Sequence, residues 1–116
     1  MSYNITSMKI KKGSFAMTAG DVTYLRRKFK GQLPEICFLR EIEIDRIYSQ
    51  DDIKRIDDNK FWWTGCGSGT SFHDVFLHHV VPLLFGHATL LIVWEGGDTV
   101  QILEIENGEV IKDVNV

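Results

Sequence analysis

Thr89-Leu90-Leu91-Ile92-Val93-Trp94 is followed by Gly96-Gly97, then by Thr99-Val100-Gln101-Ile102-Leu103-Glu104-Ile105-Glu106, then by Asn107-Gly108 and the run Glu109 to Val116. Three β-prone runs are separated by two-residue turn signals, and Asn-Gly between alternating apolar residues is the strongest short-range hairpin signal. The stretch predicts a three-stranded antiparallel meander. A two-residue turn at Gly96-Gly97 pairs Trp94 with Thr99 and Val93 with Val100. One face then carries Leu91, Val93, Val100, Ile102 and, through the second turn, Ile111. The other carries Leu90, Ile92, Trp94, Leu103, Ile105, Val110 and Val114. Both faces are apolar. The chain's own helices can cover one; the second needs the N-terminal strands, a different helix or another subunit. An uncovered apolar face of this size is an association surface. The expectation is a homodimer with Leu90, Ile92, Trp94, Leu103 and Ile105 at its interface.

Upstream, Phe72 to Phe85 reads as a helix that Ser71 can cap. Phe72, Phe76, Val80, Leu83 and Leu84 follow helical spacing, with Val75, Val81 and Phe85 on the other sides, so the helix is apolar nearly all round and belongs in the core. Pro82 lacks a backbone donor and should kink it; Gly86 ends it. Phe61-Trp62-Trp63 reads as a short strand. Ser49, with Asp52 three residues on, resembles a capping box for a short helix through Ile56. Ile36-Cys37-Phe38-Leu39 reads as a buried strand, and the alternation from Glu41 to Asp45 as a half-exposed one. Asp21 is placed to cap a helix through Phe29, with Val22, Leu25 and Phe29 on its apolar side and Gly31 as its stop. Met8-Lys9-Ile10 and Phe15-Ala16-Met17, on either side of Lys12-Gly13-Ser14, suggest a loose hairpin. Together these give an α+β fold: a mainly antiparallel sheet of about five strands, two longer helices and one short one.

The chain has 116 residues, which suits a single domain over residues 1–116. Its hydrophobic share is 44% and its charged share 25%, ordinary values that argue against disorder. Two cysteines, Cys37 and Cys66, without a leader-like N-terminus, point to a reducing, cytoplasmic setting. The stretch Val75–Trp94 lacks Asp, Glu, Lys and Arg, yet His78, His79, Pro82, Gly86 and His87 within it argue against a membrane span. Net charge is −3, which offers no general attraction for nucleic acid. Residues 1–40 nevertheless carry eight basic side chains against two acidic ones, and residues 41–116 five against fourteen. The cluster Arg26, Arg27, Lys28 and Lys30 is explained by the helix dipole without invoking nucleic acid.

The chemistry-bearing stretch is Gly65-Cys66-Gly67-Ser68-Gly69-Thr70-Ser71. Backbone amides at a helix start bind anions, and glycines permit close approach. The lysine of a phosphate-binding loop and the glycine order of a dinucleotide fingerprint are both missing. Trp62, Trp63 and Gly65, Gly67, Ser68, Gly69, Thr70 and Ser71 are the candidate lining of a small-molecule or anion site. Cys66, between glycines and near a helix start, has the setting of an activated thiol, with His73 as its candidate base. No family-specific cysteine signature surrounds it, and no spacing of metal ligands is present. The pattern favours a binding or protein-interaction module without a cofactor. A cysteine-dependent enzyme using Cys66 and His73 and an association-only homodimer are the alternatives.

Overall fold

The computed structural model describes residues 5–30, 39, 42–58, 63–64, 72–96 and 99–116. Strands β1 (Ile5–Gly13), β2 (Phe15–Thr18), β3 (Ile53–Ile56), β4 (Trp63–Thr64), β5 (His87–Trp94), β6 (Val100–Glu106) and β7 (Glu109–Asn115) form two sheets. The larger has the order β4-β1-β5-β6-β7 and the smaller pairs β2 with β3; every pairing is antiparallel. Helix α1 spans Ala19–Lys28, and a second helix spans Phe72–Val80. The class is α+β with mostly antiparallel sheet.

The C-terminal meander forms; of its first turn signal Gly96 is described and Gly97 lies outside the described residues. Val93 faces Val100. Asn107 (φ 44°) and Gly108 (φ 84°) both have positive φ, the requirement of a type I′ turn. The turn is also tied down: Asn107 Oδ1 accepts from the Gly86 N–H, and the Asn107 N–H donates to the Gly86 carbonyl, both at 2.9 Å.

Alternation along β5 and β6 separates two faces. Ala88, Leu90, Ile92, Leu103 and Ile105 are buried with Met8 and Ile10 of β1. Val75, Phe76, Val80, Val81 and Leu84 from the second helix and the turn after it join the same cluster. So do Val22 and Leu25 of α1 and Phe15, Met17 and Ile56 of the small sheet. Burying one such aliphatic side chain is worth about 1.5–3 kcal/mol. Leu90, Ile92, Leu103 and Ile105, expected at a dimer interface, are therefore core residues that the chain covers itself.

Several other expectations are corrected. The hairpin between residues 8–10 and 15–17 is absent. Gly13 (φ 86°) and Ser14 do turn the chain, but β1 stays in the large sheet beside β5 while β2 leaves to pair with β3. The cap of α1 is Thr18, whose Oγ1 accepts from the Asp21 N–H at 3.1 Å. Ser49 and Asp52 meet as a capping box would, with the Ser49 N–H donating to Asp52 Oδ2 at 3.1 Å. The contact closes a turn, however, and Ile53–Ile56 continues as strand β3. Residues 42–45 form no strand. The helix expected over 72–85 is wound in the wider π manner to Val80, tightens to a 3-10 turn over Val81–Leu83 around Pro82, and ends before Phe85, which bridges to Ala16. The strand expected at 36–39 and the stop at Gly31 lie outside the described residues, apart from Leu39, which is buried. No helix among the described residues is long and apolar enough to cross a membrane.

Candidate functional site

The glycine-rich stretch from Gly65 through Cys66, Gly67, Ser68, Gly69 and Thr70 to Ser71 lies outside the described residues, as does Trp62. What is described is its two ends. Trp63 and Thr64 form β4 at one edge of the large sheet, opposite Met8 and Ser7. The second helix begins at Phe72, which places His73 in its first turn. The Cys66–His73 pairing therefore falls outside the described residues.

Three other places carry polar groups. A cleft of about 450 Å³ is lined by Thr18, Gly20, Asp21, Tyr24, Gln50 and Asp51 at the start of α1. Helix starts attract anions through free N–H groups. Here the first three are used: Ala19 donates to the Asp52 carbonyl (2.7 Å), Gly20 to that of Gln50 (3.1 Å) and Asp21 to Thr18. With Asp21 and Asp51 in its wall, the cleft does not suit an anion.

The basic cluster at the end of α1 is partly structural. Arg26 Nε donates to the Leu39 carbonyl at 2.7 Å and its guanidinium also donates to the Ile42 carbonyl. Burial pushes this guanidinium below its ordinary value, and the two carbonyls replace the water it loses. Lys28 sits over the Tyr24 and Phe29 rings at 5.5 and 5.8 Å. Among the described residues no group of three or more His, Cys, Asp or Glu side chains could hold a metal.

The third place lies on the covered side of the meander. Trp94 Nε1 donates to Gln101 Oε1 at 3.0 Å, and Gln101 Nε2 donates to Asp113 Oδ1 at 2.7 Å. Gln101, 8% exposed, is the buried polar residue of the described core. Both ends of its amide are satisfied, which is what burial of an amide demands. The signal for it was in the sequence: Gln101 holds an inward position in the alternation with Leu103 and Ile105. Trp94, expected at an interface, is half-buried and belongs to this hydrogen-bonded chain.

Among the described residues, no helix or strand covers the opposite face of the large sheet. Lys9, Leu91, Ile102 and Val114 form one row across four strands; Ser7, Val93 and Val100 form the next. Leu91, Val93, Val100 and Ile102 are half-buried, Val114 is 40% exposed and Val116 74%. Lys12, Thr89, Glu104 and Lys112 make a polar third row, in which Glu104 also meets His87. Val114 belongs here because a bulge beside Glu104 and Ile105 shifts the register of β7 by one residue. A regular strand would have turned it to the covered side. Beyond Val114, β7 is exposed at every position from Glu109 to Asn115 and forms the sheet's second edge. Comparison with protein-family models, with curated proteins and with solved structures gives no match to this chain.

Proposed function

We propose that the protein is a cytoplasmic protein-interaction module that acts as a homodimer, with the β6–β7 side of its large sheet as the contact element. One observation carries the reading. The half-buried side chains Leu91, Val93, Val100 and Ile102 and the exposed Val114 form a contiguous aliphatic surface that no element among the described residues covers and that ends at an exposed edge strand. Contiguous apolar surface of this kind marks interaction sites, and an open edge strand is a template for pairing with another chain. The polar groups described elsewhere are engaged within the chain: the start of α1, the Arg26 guanidinium and the Gln101 amide all have partners. A small-molecule or anion site at residues 65–71 rests on the sequence pattern alone.

Sedimentation velocity over a concentration series tests the proposal. The wild-type chain is expected to dimerise, and the double variant Ile102→Lys/Val114→Lys to remain a folded monomer with an unchanged far-ultraviolet spectrum. A wild-type chain that stays monomeric into the high micromolar range would refute the reading.

A further inference from the structure

We infer that the second copy of this chain adds edge to edge at β7, with the two-fold axis at Val114, so that the two sheets join into one of ten strands. The inference rests on the homodimer proposed above and specifies its geometry.

Symmetry restricts how two copies of one strand can pair. Two identical antiparallel strands related by a two-fold axis through the sheet place one residue opposite its own copy, and all other pairs follow from that centre. Within β7 and Val116, four centres keep at least five residues paired: Ile111, Lys112, Asp113 and Val114. A centre at Ile111 sets Glu109 against Asp113 of the second copy. A centre at Lys112 sets two ammonium groups face to face, and one at Asp113 sets two carboxylates face to face. Like charges directly opposite oppose strand pairing. A centre at Val114 is free of this fault. It pairs Val114 with Val114, Asp113 with Asn115, and Lys112 with Val116. The edge charges that guard against indiscriminate pairing thus leave this two-fold register open.

The backbone agrees. The Val116 N–H donates to the Val100 carbonyl at 2.8 Å. By alternation Val114 also turns its backbone groups toward β6, while Asp113 and Asn115 turn theirs outward. In the Val114-centred register these two residues face each other across the junction and exchange N–H and C=O bonds twice over. Gln101 already holds the Asp113 carboxylate from within the chain, which presets it beside the Asn115 amide of the second copy. On the uncovered face, the row Lys9, Leu91, Ile102, Val114 then continues into its own mirror sequence, so the aliphatic surface becomes one strip with a lysine at each end.

Cysteine cross-linking tests the register. A Val114 pair is a non-hydrogen-bonded pair with Cα atoms about 4.5 Å apart, inside the roughly 4.4–6.8 Å that a disulfide spans. In a background with Cys37 and Cys66 replaced by serine and shown to be folded, Val114→Cys is expected to give a disulfide dimer under mild oxidant. Lys112→Cys and Val116→Cys should cross-link with each other when mixed, and poorly alone. In the otherwise wild-type chain, Asn115→Asp sets carboxylates opposite each other at two places and should weaken dimerisation by about tenfold. Rapid self-linking of Lys112→Cys or Asp113→Cys with none for Val114→Cys would overturn the register. So would a wild-type dimer in which Val114→Cys fails to link and Asn115→Asp has no effect; in that case the homodimer stands and the edge contact falls. A monomeric wild-type chain would remove both.

Discussion

Gly13 stands where β1 ends and the chain swings out of the large sheet. Its φ of 86° lies in the region closed to most side chains, and a Cβ there would come within 2.2 Å of the His87 carbonyl oxygen. Backbone cannot yield as a flexible side chain can. Gly13→Ala is therefore expected to cost about 3 kcal/mol, through left-handed strain and the clash together, measurable as a shift in the urea midpoint. The turn at Lys12-Gly13-Ser14 was legible from composition, because glycine and serine break a run. Its consequence was not. Whether the strands on either side pair with each other or with distant partners depends on residues 53–56 and 87–94, which local reading does not reach. Arg26 was opaque for the same reason: the helix dipole accounted for its charge, while its role of holding the Leu39 and Ile42 carbonyls depends on residues 13 and 16 positions away.

Among the elements, the meander was the most legible, because each of its turns announces itself in two residues and its faces alternate with period two. The Asn107-Gly108 turn has a second duty that no propensity encodes, since Asn107 joins the hairpin to Gly86 through two hydrogen bonds. Asn107→Ala removes the side-chain bond and the residue's tolerance of positive φ, and should cost about 1–2 kcal/mol in a chemical denaturation series. Residues 49–56 show how local signals mislead. The Ser49–Asp52 contact is present, yet β2 recruits Ile53–Ile56 into a sheet, and tertiary pairing outweighs a small helix preference. The bulge in β7 has no mark in the sequence at all, and it alone decides that Val114 faces the uncovered side. The aliphatic surface was thus half legible: Leu91, Val93, Val100 and Ile102 were grouped correctly, while which face the chain covers, and the place of Val114, needed the packed structure.

Across the whole molecule, stability should be graded from the middle of the large sheet outward. β1, β5 and β6 each have strand neighbours on both sides, and their inward residues are nearly all buried. Their amides should exchange slowest, while those of β7 that point away from β6 should exchange fast in dilute solution. Raising the protein concentration through the dimerisation range should slow the Asp113 and Asn115 amides selectively, read by mass spectrometry or NMR. Protection that stays the same at all concentrations would count against contact at this edge.

The seat of β1 between β4 and β5 also bears on how the molecule comes to be made. Lys9 lies opposite Leu91, on the order of 80 residues later in the chain. As the polypeptide is synthesised, β1 must wait for β5, made much later, before the middle of the large sheet can close. Until then β1 has only the two-residue β4 to pair with, and the meander, whose pairings are local, can form first. Assembly is therefore expected to run from the late-made hairpins back to the early-made strand, the reverse of the order in which the ribosome delivers them.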